Sequence, residues 1–184
     1  ARAKATCLCC GSVLSPDRVR SQLATQNGGA DVIFDEAGKR IGGARMLAVV
    51  LTREGVQGRQ YRLASDADYL PIFAAQKEIK RIMAEWEQGG KKGLCPVPDE
   101  PTPVGGGSGA GRAFSIQKYG ILEFRNLFTR RQLLTMHNLV SLSSDLTSSI
   151  SELIAFSISK TSMQNNNLCR WKPSGESLMD SFGR

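Results

Sequence analysis

The sequence predicts an α+β fold in which short strands come first and helices make up most of the second half. Two observations carry this prediction. Residues 45–51 are an apolar, β-branched run of strand length, and residues 59–63 alternate after a seven-residue loop. Apolar residues instead recur at helical spacing within residues 65–88 and 129–142. We therefore expect a β-hairpin portion followed by helices.

Composition and charge limit the class of protein. The chain has 184 residues, 41% of them apolar, which is enough for one domain or two small ones. The net charge of +7 favours polyanionic partners, although charge alone does not separate nucleic acid from an anionic membrane or a generic basic surface. No apolar run approaches the roughly 18 residues of a membrane span, and no hydrophobic segment follows Arg2 and Lys4. A cytoplasmic protein without a membrane partner is expected.

The cysteines at the N-terminus are the first chemical signal. Cys7 and Cys10 have the C-x2-C spacing of a zinc knuckle, but a tetrahedral site needs four ligands. Cys95 and Cys169 stand alone and far away in the sequence. One interpretation is half a zinc ribbon whose second pair lies upstream of this chain. The other is a set of free thiols, with Cys9 a passive third.

The next elements are short. Pro16 after Ser15 predicts the start of a helix, which Asn27 and the following glycines stop. Residues 32–34 predict a weak strand, and the Gly42-Gly43 pair predicts a turn. The hairpin of residues 45–63 follows.

Two glycine-bounded segments occupy the middle of the chain. Ser65 and Asp68 form a capping box for an amphipathic helix that ends at Gly89-Gly90, and its apolar stripe is expected to face the core. Residues 89–111 are rich in proline and then in glycine, which predicts an extended half and a flexible half of a linker or mobile surface loop. A short strand is expected near residues 114–117.

The best-specified helix start lies near residue 129. Thr129 and Gln132 form a capping box, and Phe128 is placed to pack on Leu133. This helix is predicted to run from Arg130 to about residue 142, and a second from about residue 144 to residue 165. The join is so short that it predicts either one bent helix or a tight turn. Residues 167–177 are predicted to be loop-like, and another element is predicted to start within residues 177–183.

These elements divide the chain into four predicted parts. Residues 1–63 would hold the half zinc ribbon, a short helix and the hairpin, and residues 64–88 the amphipathic helix. Residues 89–113 would be the linker and residues 114–184 a helical portion. His137, the only histidine, has no partner at a spacing typical of general-base catalysis, so we interpret it as structural.

Four motifs in this order resemble the middle region of a family of large bacterial and archaeal adenine-specific DNA methylases. Members carry an N-terminal domain of unknown function, and some lie near anti-phage loci. The resemblance covers essentially the whole chain. The motifs are Ala5-Thr-Cys-Leu-Cys-Cys-Gly11, Val97-Pro-Asp-Glu-Pro101, Lys118-Tyr-Gly with Asn126-Leu-Phe-Thr-Arg-Arg-Gln-Leu-Leu134, and Asn167-Leu-Cys-Arg-Trp171 through Ser181-Phe-Gly-Arg184.

The resemblance implies a parent protein with a Rossmann-like, S-adenosylmethionine-dependent methyltransferase fold. Its glycine-rich donor-binding loop would lie upstream of Ala1 and its Asp-Pro-Pro-Tyr-type catalytic motif downstream of Arg184, so this chain is expected to be an inactive fragment that packs on the rest of the parent. The resemblance also implies an upstream cysteine pair that completes the zinc site. Two departures are visible: the family usually has proline where Arg130 stands, and its connection between the two helices is longer.

The expected function is therefore part of DNA adenine-N6 methylation, in restriction-modification or anti-phage defence. No catalytic or donor-binding residue is assigned within the chain, and Cys7 and Cys10 are the zinc-ligand candidates. The alternative is a non-catalytic, basic zinc-knuckle module that binds nucleic acid or a protein partner. Candidates for contacts with DNA phosphates are Arg125, Arg130, Arg131, Arg170 and Lys172.

Overall fold

The computed structural model describes residues 5–27, 31–105, 115–175 and 177–180. Within these ranges the fold is a mixed α+β arrangement of four α-helices and four separate two-stranded antiparallel hairpins. The predicted α+β class is confirmed at this level. No helix in the described ranges has both the length and the apolar character needed to cross a membrane.

The N-terminal part contains a small hairpin and a short helix. Strands β1 (Ala5–Thr6) and β2 (Val13–Leu14) pair antiparallel, and α1 (Pro16–Ala24) follows at once. The Ser15 side chain accepts a hydrogen bond from the Arg18 amide at 3.3 Å, so the helix starts where Ser15-Pro16 predicts.

Two further hairpins precede the long helix. Strand β3 (Val32–Phe34) pairs with β4 (Arg40–Gly43), and β5 (Val49–Leu51) pairs with β6 (Gln60–Arg62). The predicted strand at residues 32–34 and the predicted hairpin within residues 45–63 are thus present. The predicted turn at Gly42-Gly43 is wrong, because both glycines pair with β3 and a side chain at residue 43 would collide with that strand.

Helix α2 (Leu70–Gln88) follows a 3-10 turn at Asp66–Tyr69 and anchors the β3–β4 hairpin. The Gln76 side chain donates to the Val32 carbonyl at 2.7 Å. The ring centroids of Phe34 and Phe73 lie 5.2 Å apart. The apolar stripe of α2 therefore faces the protein interior, as predicted.

The proline-rich half of the predicted linker is packed. Residues 95–102, here called the proline strap, run beside residues 121–125: Arg125 N donates to Pro98 O, and Thr102 N to Leu122 O, both at 2.9 Å. The Val97 side chain is only 2% exposed. Proline fixes an extended backbone and lacks an amide donor, so the strap pairs through its other amides and its carbonyls. Residues 106–113 of the predicted linker lie outside the described residues.

The segment that leads into the third helix is made of two 3-10 turns. They span Ile116–Tyr119 and Phe124–Leu127, where the sequence predicts a short strand at residues 114–117. Residue 114 lies outside the described residues, but the strand prediction is wrong for residues 116 and 117. Gly120 ends the first turn in the left-handed conformation, with φ of 87°, and this reverses the chain before it can pair as a strand.

Helices α3 (Arg130–Ser144) and α4 (Ser148–Gln164) pack side by side, and α3 also packs on α2. The Thr129–Gln132 capping box is formed, with the Thr129 amide donating to the Gln132 side chain at 2.8 Å. Residues 145–147 separate the helices, so the tight turn, not the bent helix, is the correct alternative.

The core is a small cluster at the crossing of α2, the strap and α3. Ile79, Val97 and Leu133 are its buried members. Phe128 packs against this cluster, which agrees with the contact to Leu133 predicted from the capping motif. The other partly buried contributors are Met83, Cys95 and Leu134.

The C-terminal tail adds a hairpin that the sequence did not reveal. Strands β7 (Arg170–Lys172) and β8 (Ser177–Met179) pair antiparallel. Each strand has only three residues, too few for an alternation pattern to stand out beside Pro173 and Gly175. The loop prediction is therefore wrong for residues 170–172, whereas the element predicted to start at residue 177 is present as β8.

Candidate functional site

The two cysteines of the C-x2-C motif lie at the tip of the β1–β2 hairpin. Cys7 N donates to Ser12 O at 2.9 Å, and Gly11 N donates to Cys7 O at the same distance. Gly11 has φ of 69°, a left-handed conformation that lets the chain return directly after Cys10. Cys7 is half-buried and Cys10 exposed. The turn therefore presents a thiol pair at the protein surface, as a zinc knuckle does.

Local hydrogen bonding favours the thiolate form of Cys10. Cys10 Sγ lies 3.3 Å from Ser12 Oγ. Hydrogen bonding with the Ser12 side chain, then with its backbone and with the Cys7 side chain, lowers the pKa of Cys10 below that of an ordinary thiol. Because the thiolate is the form that binds metal, the residues present fit one half of a zinc site.

The described residues do not supply the other half. They contain no group of three or more histidine, cysteine, aspartate or glutamate side chains placed to hold a metal ion. Cys95 lies in the core with its sulfur 4.0 Å from Met83 Sδ, and burial raises the pKa of its thiol. Cys169 lies after α4, 3.4 Å from the Met163 carbonyl. A four-coordinate zinc would thus take two ligands from outside the described residues.

Two of the five predicted DNA-contacting residues are held in ion pairs. Arg125 pairs with Glu123, and hydrogen bonding to that carboxylate raises the pKa of the arginine. Arg130 Nε lies 3.2 Å from Asp31 Oδ2 and so joins the start of α3 to the β3–β4 hairpin. Both guanidinium groups are therefore engaged inside the protein, Arg125 by a neighbour in sequence and Arg130 by a residue of a distant segment.

The other three predicted residues are exposed. Arg131 lies in the first turn of α3, and Arg170 and Lys172 lie two residues apart on β7. Alternate residues of a strand share a face, so Arg170 and Lys172 lie on the same side of the hairpin. No ion pair ties any of these three to another described residue. Within the described residues, they are therefore the members of the predicted set that no ion pair holds.

An open cavity of about 480 Å³ lies where β3, α2, α3 and α4 meet. Its walls are mostly apolar, and Arg131 and Gln132 supply polar groups at its edge. The sequence does not predict this cavity, because its walls come from five separate segments with no common motif. The apolar wall residues include Val32, Met46, Ile72, Met136 and Leu139.

A second cavity, of about 630 Å³, lies beside the contact between the proline strap and α3 and is lined by residues of both. His137, which the sequence suggests is structural, contributes to its wall, as do Cys95 and Asp99. No hydrogen bond joins the His137 ring to another described side chain. We assign no catalytic role to this cavity.

No protein-family model matches the chain, and no solved structure matches its fold. The functional argument therefore depends on the motifs in the sequence and on where the structure places them.

Proposed function

We propose that this chain is part of a DNA adenine-N6 methyltransferase, lying between its donor-binding and catalytic motifs and contributing DNA contacts. The observation that carries this proposal is the order of the four motifs, which begin at residues 5, 97, 118 and 167. The Rossmann-like core and the complete zinc ribbon of the parent are part of the same proposal.

The spatial arrangement of these motifs supports the proposal. Arg125, between the two halves of the third motif, donates its amide to the Pro98 carbonyl of the second motif at 2.9 Å. Asn167, which begins the fourth motif, donates its amide to the Leu127 carbonyl of the third at 2.8 Å. Motifs separated by tens of residues therefore meet through main-chain contacts. Such an arrangement is expected if the motifs specify one shared structural unit.

The chemistry of base methylation explains why such a region would be basic. An adenine inside a duplex must be extruded before its exocyclic amine can react, and extrusion costs a few kcal/mol. Contacts from non-catalytic parts to the DNA phosphates offset this cost and set the register. Arg131, Arg170 and Lys172 are the residues we assign to such contacts.

The cofactors of the proposed enzyme are S-adenosylmethionine and zinc. S-adenosylmethionine supplies the methyl group, and none of the 184 residues belongs to a motif that binds it, so we assign it no ligand in this chain. Zinc would be held by Cys7 and Cys10 together with two thiolates from outside the described residues. In that position it would fix the hairpin to a second segment of the parent chain. A cytoplasmic location belongs to the same proposal.

The reading frame on both sides of this segment tests the proposal directly. We expect a glycine-rich donor loop upstream and an Asp-Pro-Pro-Tyr-type motif downstream. The isolated 184-residue chain should transfer no methyl group from radiolabelled S-adenosylmethionine to adenine in duplex DNA. Flanking sequence without either motif would refute the assignment, and methyl transfer by the isolated chain would show that the catalytic residues are misplaced.

DNA binding is expected to depend on the three exposed basic residues. We predict that the triple variant Arg131→Gln, Arg170→Gln, Lys172→Gln binds a fluorescent duplex more weakly than the unmodified chain. Each lost phosphate contact reduces the slope of log K against log salt by about 0.9, so the total reduction should be roughly 2–3. Anisotropy titrations at several salt concentrations measure this slope.

A variant with the same loss of charge elsewhere provides the control. Lys39, Arg53 and Arg59 are exposed; changing all three to glutamine also lowers the net charge from +7 to +4. If both triple variants lose the same affinity and slope, binding depends on net charge and the assignment of Arg131, Arg170 and Lys172 is wrong.

The second candidate function, a non-catalytic zinc-knuckle module, is favoured by one observation: the thiol pair lies at an exposed hairpin tip. Such a module would bind nucleic acid or a protein partner without any catalytic motif in its flanking sequence. The reading-frame test above separates the two candidates, because only the methyltransferase requires both flanking motifs.

Zinc binding is expected to depend on Cys7 and Cys10 and not on Cys9. Replacing either Cys7 or Cys10 with serine should weaken binding about tenfold or more, because two-point attachment is lost. Cys9→Ser is the matched control and should bind as the unmodified chain does. Competition with a chromophoric chelator measures these affinities. Equal weakening by all three substitutions, or a tight four-sulfur site in the isolated chain, would contradict the half-site assignment.

A further inference from the structure

Three basic side chains from separate parts of the chain line one cavity. It has a volume of about 430 Å³ and lies between α2 and the segment that leads into α3. Ile79 and Met83 of α2 supply its apolar wall. The volume falls within the range of roughly 300–1,000 Å³ that is typical of small-molecule sites. This cavity is here called the basic cavity, after its wall residues Lys80, Arg125 and Arg130.

Arg130 is held at the basic cavity through one side of its guanidinium group. Its Nε lies 3.2 Å from Oδ2 of Asp31, the acidic residue of the cavity wall. The other carboxylate oxygen, Oδ1, accepts hydrogen bonds from the Val32 amide at 3.1 Å and from the Gln76 side chain at 3.0 Å. Asp31 therefore contacts three protein groups, and these contacts fix the arginine in place.

Arg125 is anchored in the same manner. Its Nε pairs with the Glu123 carboxylate. Among the described residues, neither Arg125 nor Arg130 makes a hydrogen bond or ion pair through its terminal Nη groups. Each arginine therefore keeps a two-pronged donor, and this is the geometry that binds phosphate oxygens in a bidentate manner.

Lys80 completes the set of donors. It lies on α2, one turn after Gln76, and is exposed. No ion pair joins its ammonium group to another described residue. Asp31 and Glu123 are each paired with an arginine, so Lys80 adds a positive charge to the cavity that no ion pair offsets.

The start of α3 also favours an anion at this position. Arg130 and Arg131 are the first two residues of α3, and its first turn contains no acidic side chain. Because the N-terminus of a helix carries a partial positive charge, two cations there are unfavourable unless an anion lies nearby. Asp31 supplies one such anion, and an anionic ligand in the basic cavity would supply another.

We propose that the basic cavity binds a phosphate group through Lys80 and the Nη donors of Arg125 and Arg130. Phosphate fits better than a carboxylate, because it offers at least three strong acceptor oxygens to three donor side chains and a carboxylate offers two. Two sources have this chemistry: a free phosphorylated small molecule and the backbone of a nucleic acid. The site is distinct from Arg131, Arg170 and Lys172, and the inference does not depend on the proposed DNA methylation.

Inorganic phosphate is the probe for the site itself. The 184-residue chain is titrated with sodium phosphate by isothermal titration calorimetry, with sodium chloride of equal ionic strength as the blank. Lys80→Gln should weaken phosphate binding about tenfold, because a charge-assisted hydrogen bond is lost. Lys160→Gln is the matched control. It removes the same charge from an exposed residue of α4 that does not line the cavity, so it should bind phosphate as the unmodified chain does.

Arg130→Lys tests the role of the two-pronged donor. Lysine keeps the charge and can still pair with Asp31, but it lacks the planar fork of the guanidinium group. We expect phosphate binding to weaken about threefold or more. Far-UV circular dichroism verifies that this variant keeps its helices. Unchanged affinity in a folded variant would contradict the assignment of Arg130 as a phosphate ligand.

Duplex DNA distinguishes the two sources of the phosphate group. If the DNA backbone is the source, Lys80→Gln should also reduce the slope of log K against log salt by about 0.9 in the anisotropy titration. If a free phosphorylated compound is the source, Lys80→Gln should weaken phosphate binding and leave duplex binding unchanged.

Two results would overturn the proposal. In the first, the chain binds no inorganic phosphate and Lys80→Gln does not change duplex binding. In the second, Lys80→Gln and Lys160→Gln weaken phosphate binding equally, which would mean that phosphate responds to net charge and not to the basic cavity.

Discussion

Replacing Leu133 with alanine is expected to lower the free energy of unfolding by about 2–5 kcal/mol. Leu133 is 3% exposed and forms a cluster of buried side chains with Ile79 and Val97. Because these three residues come from α3, α2 and the proline strap, a cavity at this point loosens all three elements. Urea unfolding followed by circular dichroism measures the effect.

Leu94→Ala is the matched control for this prediction. It removes the same atoms from a side chain that is 94% exposed, so its effect should stay within roughly 0.5 kcal/mol. If both substitutions have equally small effects, Leu133 does not lie in a cooperative core and the packing of the strap against α3 is wrong.

Replacing Gly120 with alanine is expected to lower the free energy of unfolding by roughly 3 kcal/mol or more. Two costs add up: alanine disfavours the left-handed backbone conformation, and its Cβ collides with neighbouring atoms. The backbone of Gly120 has φ of 87°, and an added Cβ would lie 2.5 Å from Ala24 Cα and 2.7 Å from Ala24 O. Because both atoms belong to the main chain at the end of α1, no side chain can rotate away. The turn at residues 116–119 would have to separate from α1. Thermal unfolding of the variant measures this loss.

Substitution of Gly58 measures the conformational cost without the steric collision. Its φ is 88°, almost the same as that of Gly120, but no atom beyond its chain neighbours lies within 4 Å of the position that a Cβ would take. Gly58→Ala should therefore cost only the conformational term, about 1–2 kcal/mol. Equal losses in the two variants would mean that the close approach between residue 120 and α1 is absent in solution.

The elements that could be predicted from the sequence are those whose signals are local. The Thr129–Gln132 capping box specifies the start of α3 through residues only three apart, and Ser15-Pro16 does the same for α1. The hairpin at residues 49–62 likewise depends on one apolar run and the glycine-containing loop after it. Each of these signals was sufficient without knowledge of the rest of the fold.

The proline strap and the C-terminal hairpin could not be predicted from local sequence patterns, because both are stabilised by contacts with other segments. Composition suggested that residues 95–102 were part of a linker, but Val97 becomes a core residue because residues 121–125 offer main-chain partners. The strands at residues 170–172 and 177–179 are stabilised by pairing with each other, and neither has a strong pattern of its own.

The candidate site likewise combines features that local sequence predicts with features that depend on distant residues. The spacing of Cys7 and Cys10 predicts a thiol pair at one turn, and the structure places both there. Zinc binding itself remains a proposal. The role of Arg130 depends on Asp31, nearly a hundred residues earlier, so its ion pair could not be predicted from the residues around it. The same holds for both cavities, whose walls come from separate segments.

The proline strap also determines where this chain can change length. The hydrogen bond from Thr102 N to Leu122 O holds the two ends of the intervening segment together. Once the ends of a loop are fixed, doubling its length costs only about 0.6 kcal/mol in closure entropy. Insertions after residue 103 would therefore be far cheaper than insertions of the same size between residues 95 and 102. We expect relatives of this protein to differ in length after residue 103 and to have the same length between residues 95 and 102.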